Sequence, residues 1–292
     1  MTATVTKPID FWRGEMKTRI LVLALVALFV PSSHARAATV DGARIHSTST
    51  GEGTKTVILV HGWTCDETSW SEQIPVLAKK YRVITIDLPG HGQSDQPKDG
   101  KFSMDLFAQA IEAVRAEANV DRVILAGHSM GGPVVYRYAQ LYPEHTVALI
   151  LVDSPLFKAP DVRSFVDQAL PRVVGDEGVK GREAMIRGMF SPATTPDLQS
   201  RILQMMLRAP EATAKGAMNA MADPVVWENH VLQIPALAIF AATYGGNSLD
   251  VTKSYIPDLQ FLNVPGTGHF LMMEKPAEFN QHFIAFVDRQ KF

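Results

Sequence analysis

The chain of 292 residues has a single cysteine, Cys65, so no disulfide within it can hold a fold together and the redox compartment cannot be read from cysteine pairing. It also has no block of basic residues. Its 28 Lys and Arg stand against 30 Asp and Glu, a formal net charge of −2, which excludes a surface built to neutralise a run of phosphates. No nucleic-acid partner is expected. The clustered His or Cys ligands of a zinc site are missing, as is a G-x-x-x-x-G-K-[ST] phosphate cradle, so no metal or cofactor is expected. No internal repeat or low-complexity tract occurs. What is present is 46% apolar and 20% charged residues, the make-up of a globular protein with a substantial core, organised as one large domain or two small ones.

The compartment has to be judged from the N-terminus. Lys17 and Arg19 precede an unbroken apolar stretch of eleven residues, 20–30, followed by Pro31, two serines and Ala35-Arg36-Ala37. That order reads as a secretory signal with cleavage after Ala37. The stretch is too short to span a bilayer comfortably, which takes roughly 20 residues, so no stable membrane span is expected after cleavage; an uncleaved anchor is the competing reading. Met16 makes a better start for such a signal than Met1, leaving residues 1–15 as an extension or a wrongly chosen start. With a signal at about residues 16–37, the protein is expected to be secreted or periplasmic.

From Ala38 onward, short β-branched runs alternate with helical stretches, the signature of an α/β fold with a mostly parallel sheet covered by helices on both faces. Asp41-Gly42 reads as a turn. Six core strands are expected, at 56–60 (TVILV), 82–86, 123–126, 147–152, 236–241 and 259–264, several of them continuous apolar runs suited to burial on both faces. Helices are expected at about 70–79, at 103–118 with Ser103 as N-cap, at 130–142 and at 276–290. The alternation breaks once: after Pro155 some 75 residues pass without a convincing strand. The organisation is therefore an N-terminal extension and signal (1–37), a core in two parts (38–155 and 231–292), and an inserted helical cap (156–230). Six of the 12 methionines fall between Met185 and Met221. Flexible thioethers suit an adaptable apolar pocket, although Leu198, Ile202 and Met205 also have ordinary core spacing.

The central observation is Gly127-His128-Ser129-Met130-Gly131, a G-x-S-x-G directly after a strand and directly before a helix. A serine on such a bend sits in strained backbone geometry that the flanking glycines make room for, and the helix N-terminus beside it favours developing negative charge. Serine needs a base within hydrogen-bonding reach. His269 is the leading candidate, because Pro265-Gly266-Thr267-Gly268-His269 is a loop after the last strand that returns to the edge of the sheet holding Ser129. The oxyanion formed on a substrate carbonyl needs preorganised donors. The backbone N–H of Met130 is one, and the N–H of Trp63, in Val60-His61-Gly62-Trp63, is the choice for the second. His61 is taken as structural, holding that loop, and Cys65 as a small buried residue.

HGW after one strand, Asp87-Leu88-Pro89-Gly90-His91-Gly92-Gln93-Ser94 after the next, GHSMGG after a third and GTGH near the end together resemble the α/β-hydrolase superfamily. They point to its cap-bearing esterase, lactonase, cofactor-free haloperoxidase and epoxide-hydrolase-like branch. The resemblance covers about residues 40–292 and is highly specific for the α/β-hydrolase fold, weakly so for substrate. It implies an acid that orients His269, usually in the loop after strand 236–241, and here residues 242–250 hold no carboxylate at the expected position. Asp153, just after strand 147–152 in a loop from which some branches supply the acid, is the preferred replacement. Asp250 is the alternative, lying several residues late, where Ser248 and Asp250 read as an N-cap and a first-turn acid.

A serine nucleophile disfavours the aspartate chemistry of epoxide opening. The expected activity is cleavage of a small-molecule carboxylic ester or lactone through an acyl-enzyme on Ser129, with Asp153 and His269 completing the triad. Aminopeptidase or amidase activity, drawing on cap acids such as Asp161, Asp167, Glu183 and Asp197, and cofactor-free perhydrolase activity are the enzymatic alternatives. A ligand-binding protein on the same fold is the non-enzymatic one.

Overall fold

A computed structural model of the chain describes residues 1–4, 34–228, 230–241 and 246–292. The apolar stretch at 20–30, on which the expected signal rests, lies outside the described residues. The described residues from His34 to Phe292 form one compact unit.

Eight strands make one sheet: β1 (His34–Val40), β2 (Ala43–Thr50), β3 (Thr56–Val60), β4 (Arg82–Ile86), β5 (Val123–His128), β6 (Thr146–Val152), β7 (Ala236–Ala241) and β8 (Leu259–Val264). Their order is β1-β2-β4-β3-β5-β6-β7-β8. The six expected strands are β3 to β8, and all pairings among them are parallel. Every residue of β3, β5, β6 and β7 is buried, as strands covered on both faces require. The expectation of six strands misses β1 and β2, an antiparallel hairpin at the sheet's edge. Their polar residues (HARAATV, ARIHSTST) suit an edge and hide the strand signal. Asp41 and Gly42 join them, both in the left-handed region at φ 48° and 72°, as a tight hairpin turn demands. Ala37, after which cleavage is expected, lies inside β1 and pairs with His46.

The helices are α1 (Ile74–Leu77), α2 (Met104–Glu117), α3 (Gly131–Leu141), α4 (Ala159–Val173), α5 (Gly178–Arg187), α6 (Pro196–Leu207), α7 (Glu211–Met221), α8 (Pro224–Trp227), α9 (Gly246–Tyr255), α10 (Leu271–Glu274) and α11 (Pro276–Arg289). Ser103 caps α2 by accepting from the Leu106 N–H. The continuous helix expected at 70–79 is instead a 3-10 turn, Glu67–Trp70, followed by the single turn α1, because Pro75 lacks the N–H that would continue the first into the second. Between β6 and β7 the described residues form helices α4 to α8 and no strand. Nor does α9 begin at Ser248: it starts at Gly246, which places Ser248 and Asp250 within the helix rather than at its cap. Among the described residues no helix is long and apolar enough to cross a membrane.

Because β3 pairs with β4 on one side and β5 on the other, successive crossovers leave in opposite directions from β3. Parallel strands end at one edge, and at such a reversal their C-terminal loops diverge and open a crevice. The loops after β3, β5, β6 and β8 all emerge there.

Candidate active site

The bend after β5 is built as its sequence implies. Ser129 has φ 52°, the left-handed region, between β5 and α3. Its N–H donates to the Val152 carbonyl of β6 at 3.0 Å, while its own carbonyl accepts from the Gly132 N–H at 2.9 Å and the Ser154 hydroxyl at 2.5 Å. Strand and helix approach so closely that a Cβ at Gly127 would stand 2.1 Å from the Gly131 carbonyl oxygen, and one at Gly132 only 1.9 Å from Ser154 Oγ. Ser154, which fixes the serine's carbonyl, carries no signature in the sequence beyond its place two residues past β6.

The loop after β8 brings His269 to the same cavity as Ser129. The other walls of that cavity are Gly62, Trp63 and Cys65 from the loop after β3, His128 at the end of β5, Met189 and Met206 from the helical segment, and Phe270. It encloses about 10 Å³, room for about one water molecule. Among the described residues Ser129 Oγ makes no hydrogen bond, and Ser129 lines this space.

Asp153 follows β6 at φ 43° and is buried. Its Oδ2 lies 2.6 Å from His269 Nδ1, and its Oδ1 accepts from the Ala241 N–H at 2.8 Å. The structure therefore brings Ser129, Asp153 and His269 together, and Asp250 stands apart on the exposed face of α9. Residues 242–245, where the acid is more usual, lie outside the described residues. Trp63 is buried, with its indole N–H donating to the Ala214 carbonyl of α7 at 2.8 Å, so the loop that carries it is pinned to the helical segment. Met130 is buried as the N-cap of α3.

His61 bridges two loops: its Nδ1–H donates to the Gly62 carbonyl at 2.8 Å and its Nε2 accepts from the Leu88 N–H at 3.0 Å. Burial holds its pKa below the ordinary histidine value, which keeps it the neutral bridge this geometry needs. His91, packed against it at 4.9 Å between ring centroids, is pushed down to about 3 by burial and by the neighbouring His61. Cys65 is buried, and that burial pushes its thiol up, away from thiolate chemistry.

Two positioning groups were not legible in the sequence. His128 Nε2–H donates to the His269 carbonyl at 2.8 Å, and its ring lies 4.7 Å from that of His269 and 5.2 Å from Phe270. Burial lowers its pKa well below the ordinary value, so it holds the loop as a neutral donor. On the other side, the His269 N–H donates to the Met189 carbonyl at 3.1 Å. Glu274 reinforces that seam: it accepts from the Gly268 N–H at 2.6 Å, from Ser191 Oγ at 3.0 Å and from Thr194 Oγ1 at 2.6 Å. The loop bearing His269 is thus clamped to the turn between α5 and α6. Among the described residues no group of three or more His, Cys, Asp or Glu could hold a metal ion.

A family model described as alpha/beta hydrolase fold matches residues 55–177. The chain is 28% identical over 252 residues to a dihydrolipoyllysine-residue acetyltransferase component of an acetoin cleaving system from Pseudomonas putida, covering 81% of this chain and 64% of that protein. It therefore spans less than two thirds of that relative. It is 25% identical over 262 residues to a 2-hydroxy-6-oxononadienedioate/2-hydroxy-6-oxononatrienedioate hydrolase from Cupriavidus pinatubonensis, covering 84% of this chain and 90% of the other. Among solved structures, a thermophilic esterase from Thermogutta terrifontis superimposes with TM-score 0.75 at 25% identity, covering 88% of this chain and 98% of the other. An N-acyl homoserine lactone degrading enzyme, Est816, does so with TM-score 0.74 at 22% identity, covering 86% and 100%. With the sheet order, the serine bend and the four motif loops at one edge, these likenesses have one explanation: the chain has the α/β-hydrolase fold.

Proposed function

We propose that this protein is a serine hydrolase that cleaves a carboxylic ester or lactone through an acyl-enzyme on Ser129. The observation that carries the reading is the convergence of three loops: a serine at φ 52° shares a cavity with His269, whose Nδ1 is held 2.6 Å from the buried Asp153 carboxylate. Because the Ala241 N–H already occupies Asp153 Oδ1, Oδ2 is left to accept from His269 Nδ1–H. That hydrogen bond selects the tautomer with a free Nε2 lone pair, the one that can take the Ser129 proton. The hydroxyl oxygen then attacks the acyl carbon. The Trp63 and Met130 N–H groups hold the oxyanion, each worth on the order of 3–4 kcal/mol of barrier. His269 returns its proton to the departing alkoxide, and water, deprotonated by the same ring, releases the acid.

The esterase and lactonase likenesses support the ester reading over amide cleavage. The test is a panel of p-nitrophenyl esters, lactones and amino-acid arylamides, run beside labelling with an active-site phosphonate. Turnover of short to medium esters with an adduct on Ser129, both lost in Ser129→Ala, is the expected result. Arylamide turnover alone would overturn the ester assignment, and a folded protein that forms no adduct would favour a binding role. Export is proposed from residues 16–37 alone, and N-terminal sequencing of the protein recovered outside the cytoplasm tests it, with Ala38 the expected first residue.

A further inference from the structure

A cavity of about 10 Å³ around Ser129 and His269 admits a water but not an ester, so part of its wall has to give way when substrate binds. A separate cleft of about 290 Å³ lies between the loops after β3 and β4 and the end of α6, close to the size at which small-molecule sites begin. Cys65 lines both spaces. On α6, Met205 lines the cleft and its neighbour Met206 the catalytic cavity. The partition is therefore one small thiol and two flexible thioethers, groups that change rotamer readily to fit what they enclose.

The chemistry of the cleft is distinct from that of the cavity. Asp66, Glu67 and Asp87 line it against one cation, Arg208, whose guanidinium already donates to Asp66 Oδ2 at 2.8 Å. Glu67 and Asp87 spend their oxygens on protein donors: Glu67 on Thr85 Oγ1 and His46 Nε2, Asp87 on the Glu67 and Gln93 N–H groups. Burial raises the Asp87 carboxyl above its ordinary range, so the charge that a ligand meets comes from Asp66 and Glu67. Thr64, which also lines the cleft, is 2% exposed, and its hydroxyl is buried with no hydrogen-bond partner. An orphaned buried hydroxyl is a standing cost that a donor or acceptor on a ligand would remove.

We propose that this cleft is a substrate subsite, joined to the catalytic cavity when Cys65, Met205 and Met206 part, and that it takes the half of the ester bearing a hydrogen-bond-donating, non-anionic group. The inference rests on the serine-esterase reading above and deepens it. A carboxylate in the cleft would lie among three acidic side chains with its one potential counter-ion already engaged, whereas a hydroxyl or ammonium group meets acceptors and favourable charge.

The experiment measures kcat/KM by pH-stat for methyl acetate, glycerol 1-acetate, protonated 2-(dimethylamino)ethyl acetate and the acetate ester of glycolate, in the wild type, Cys65→Phe and Met205→Trp. Methyl acetate is the small reference, and each result is read as a ratio to it. In the wild type, the glycerol and dimethylaminoethyl esters are expected at least tenfold above the glycolate ester. Filling the partition or the cleft wall is expected to cut the ratio of the larger esters to methyl acetate by tenfold or more, and Met205→Trp serves where Cys65→Phe perturbs folding. Ratios unmoved in both variants, or a preference for the anionic ester, would overturn the subsite. Failure to hydrolyse methyl acetate together with no phosphonate adduct on Ser129 would instead remove the underlying esterase reading and the subsite with it.

Discussion

Replacing Asp153 by Asn changes one atom of a buried carboxylate and leaves its shape intact, so the consequence follows from hydrogen-bond direction alone. The Ala241 N–H, 2.8 Å from Oδ1, demands an acceptor, which puts the amide oxygen there and turns the NH₂ toward His269 Nδ1. Nδ1 then has to accept, the ring proton moves to Nε2, and no lone pair faces Ser129. The loss of the orienting carboxylate in a serine triad is worth about 10⁴ in kcat, near 5.5 kcal/mol. The amide can escape by flipping, at the cost of setting its NH₂ against the Ala241 N–H; an unsatisfied buried donor costs about 1–3 kcal/mol, or roughly 5- to 150-fold. Even the flipped form lacks the negative charge that stabilises the imidazolium. The expected fall in kcat is at least about 10²-fold and approaches 10⁴-fold. The assay is initial-rate hydrolysis of p-nitrophenyl acetate with the folded state checked by circular dichroism. Asp250→Asn, on the exposed face of α9, is expected to stay within about twofold, as surface substitutions generally do. An Asp153→Asn enzyme retaining more than a tenth of wild-type kcat, or an Asp250→Asn enzyme that falls as far, would refute the assignment of the acid.

Glu274→Ala removes three hydrogen bonds that clamp the His269 loop to the turn after α5, and a displaced base should lower kcat by about 10- to 100-fold with a smaller change in KM. Unchanged kcat with lowered Tm would make Glu274 merely structural. Gly127→Ala drives a Cβ to 2.1 Å from the Gly131 carbonyl and should destabilise by about 1–3 kcal/mol, with Tm falling about 2–4 °C per kcal/mol; a Tm equal to wild type would show that the bend has more room than its geometry allows. His61, His91 and His128 are buried with folded-state pKa values below the ordinary value of about 6.5, that of His91 at about 3. Below about pH 6.5 the unfolded chain binds protons that the folded chain refuses, so the stability these groups confer is present above that pH and is lost as pH falls toward 3. Urea unfolding from pH 7 to 5, where carboxylates contribute least, should show declining stability, with a shallower decline in His91→Gln; stability that rose as the pH dropped would contradict their neutral burial.

Local chemistry decides much of this protein before it folds. Near-continuous apolar runs mark the four strands buried throughout, β3, β5, β6 and β7, because a strand covered on both faces has little room for polar residues, and the glycines of G-x-S-x-G make room for a serine at positive φ between strand and helix. The edge hairpin escaped that logic, since β1 and β2 carry polar residues suited to an edge, and the helix expected at 70–79 ignored what Pro75 does to a ladder. Whether Asp153 or Asp250 approaches His269 was open in the sequence. Both are loop-proximal acids, and the choice depends on where strands 24 and more residues past Ser129 end in space. Only the folded chain sets Asp153 Oδ2 at 2.6 Å from His269 Nδ1. The same holds for Glu274, Ser154 and the thiol and thioethers between the two cavities: a hydrogen bond or a shared wall joins residues far apart along the chain, and one-dimensional spacing carries no trace of it.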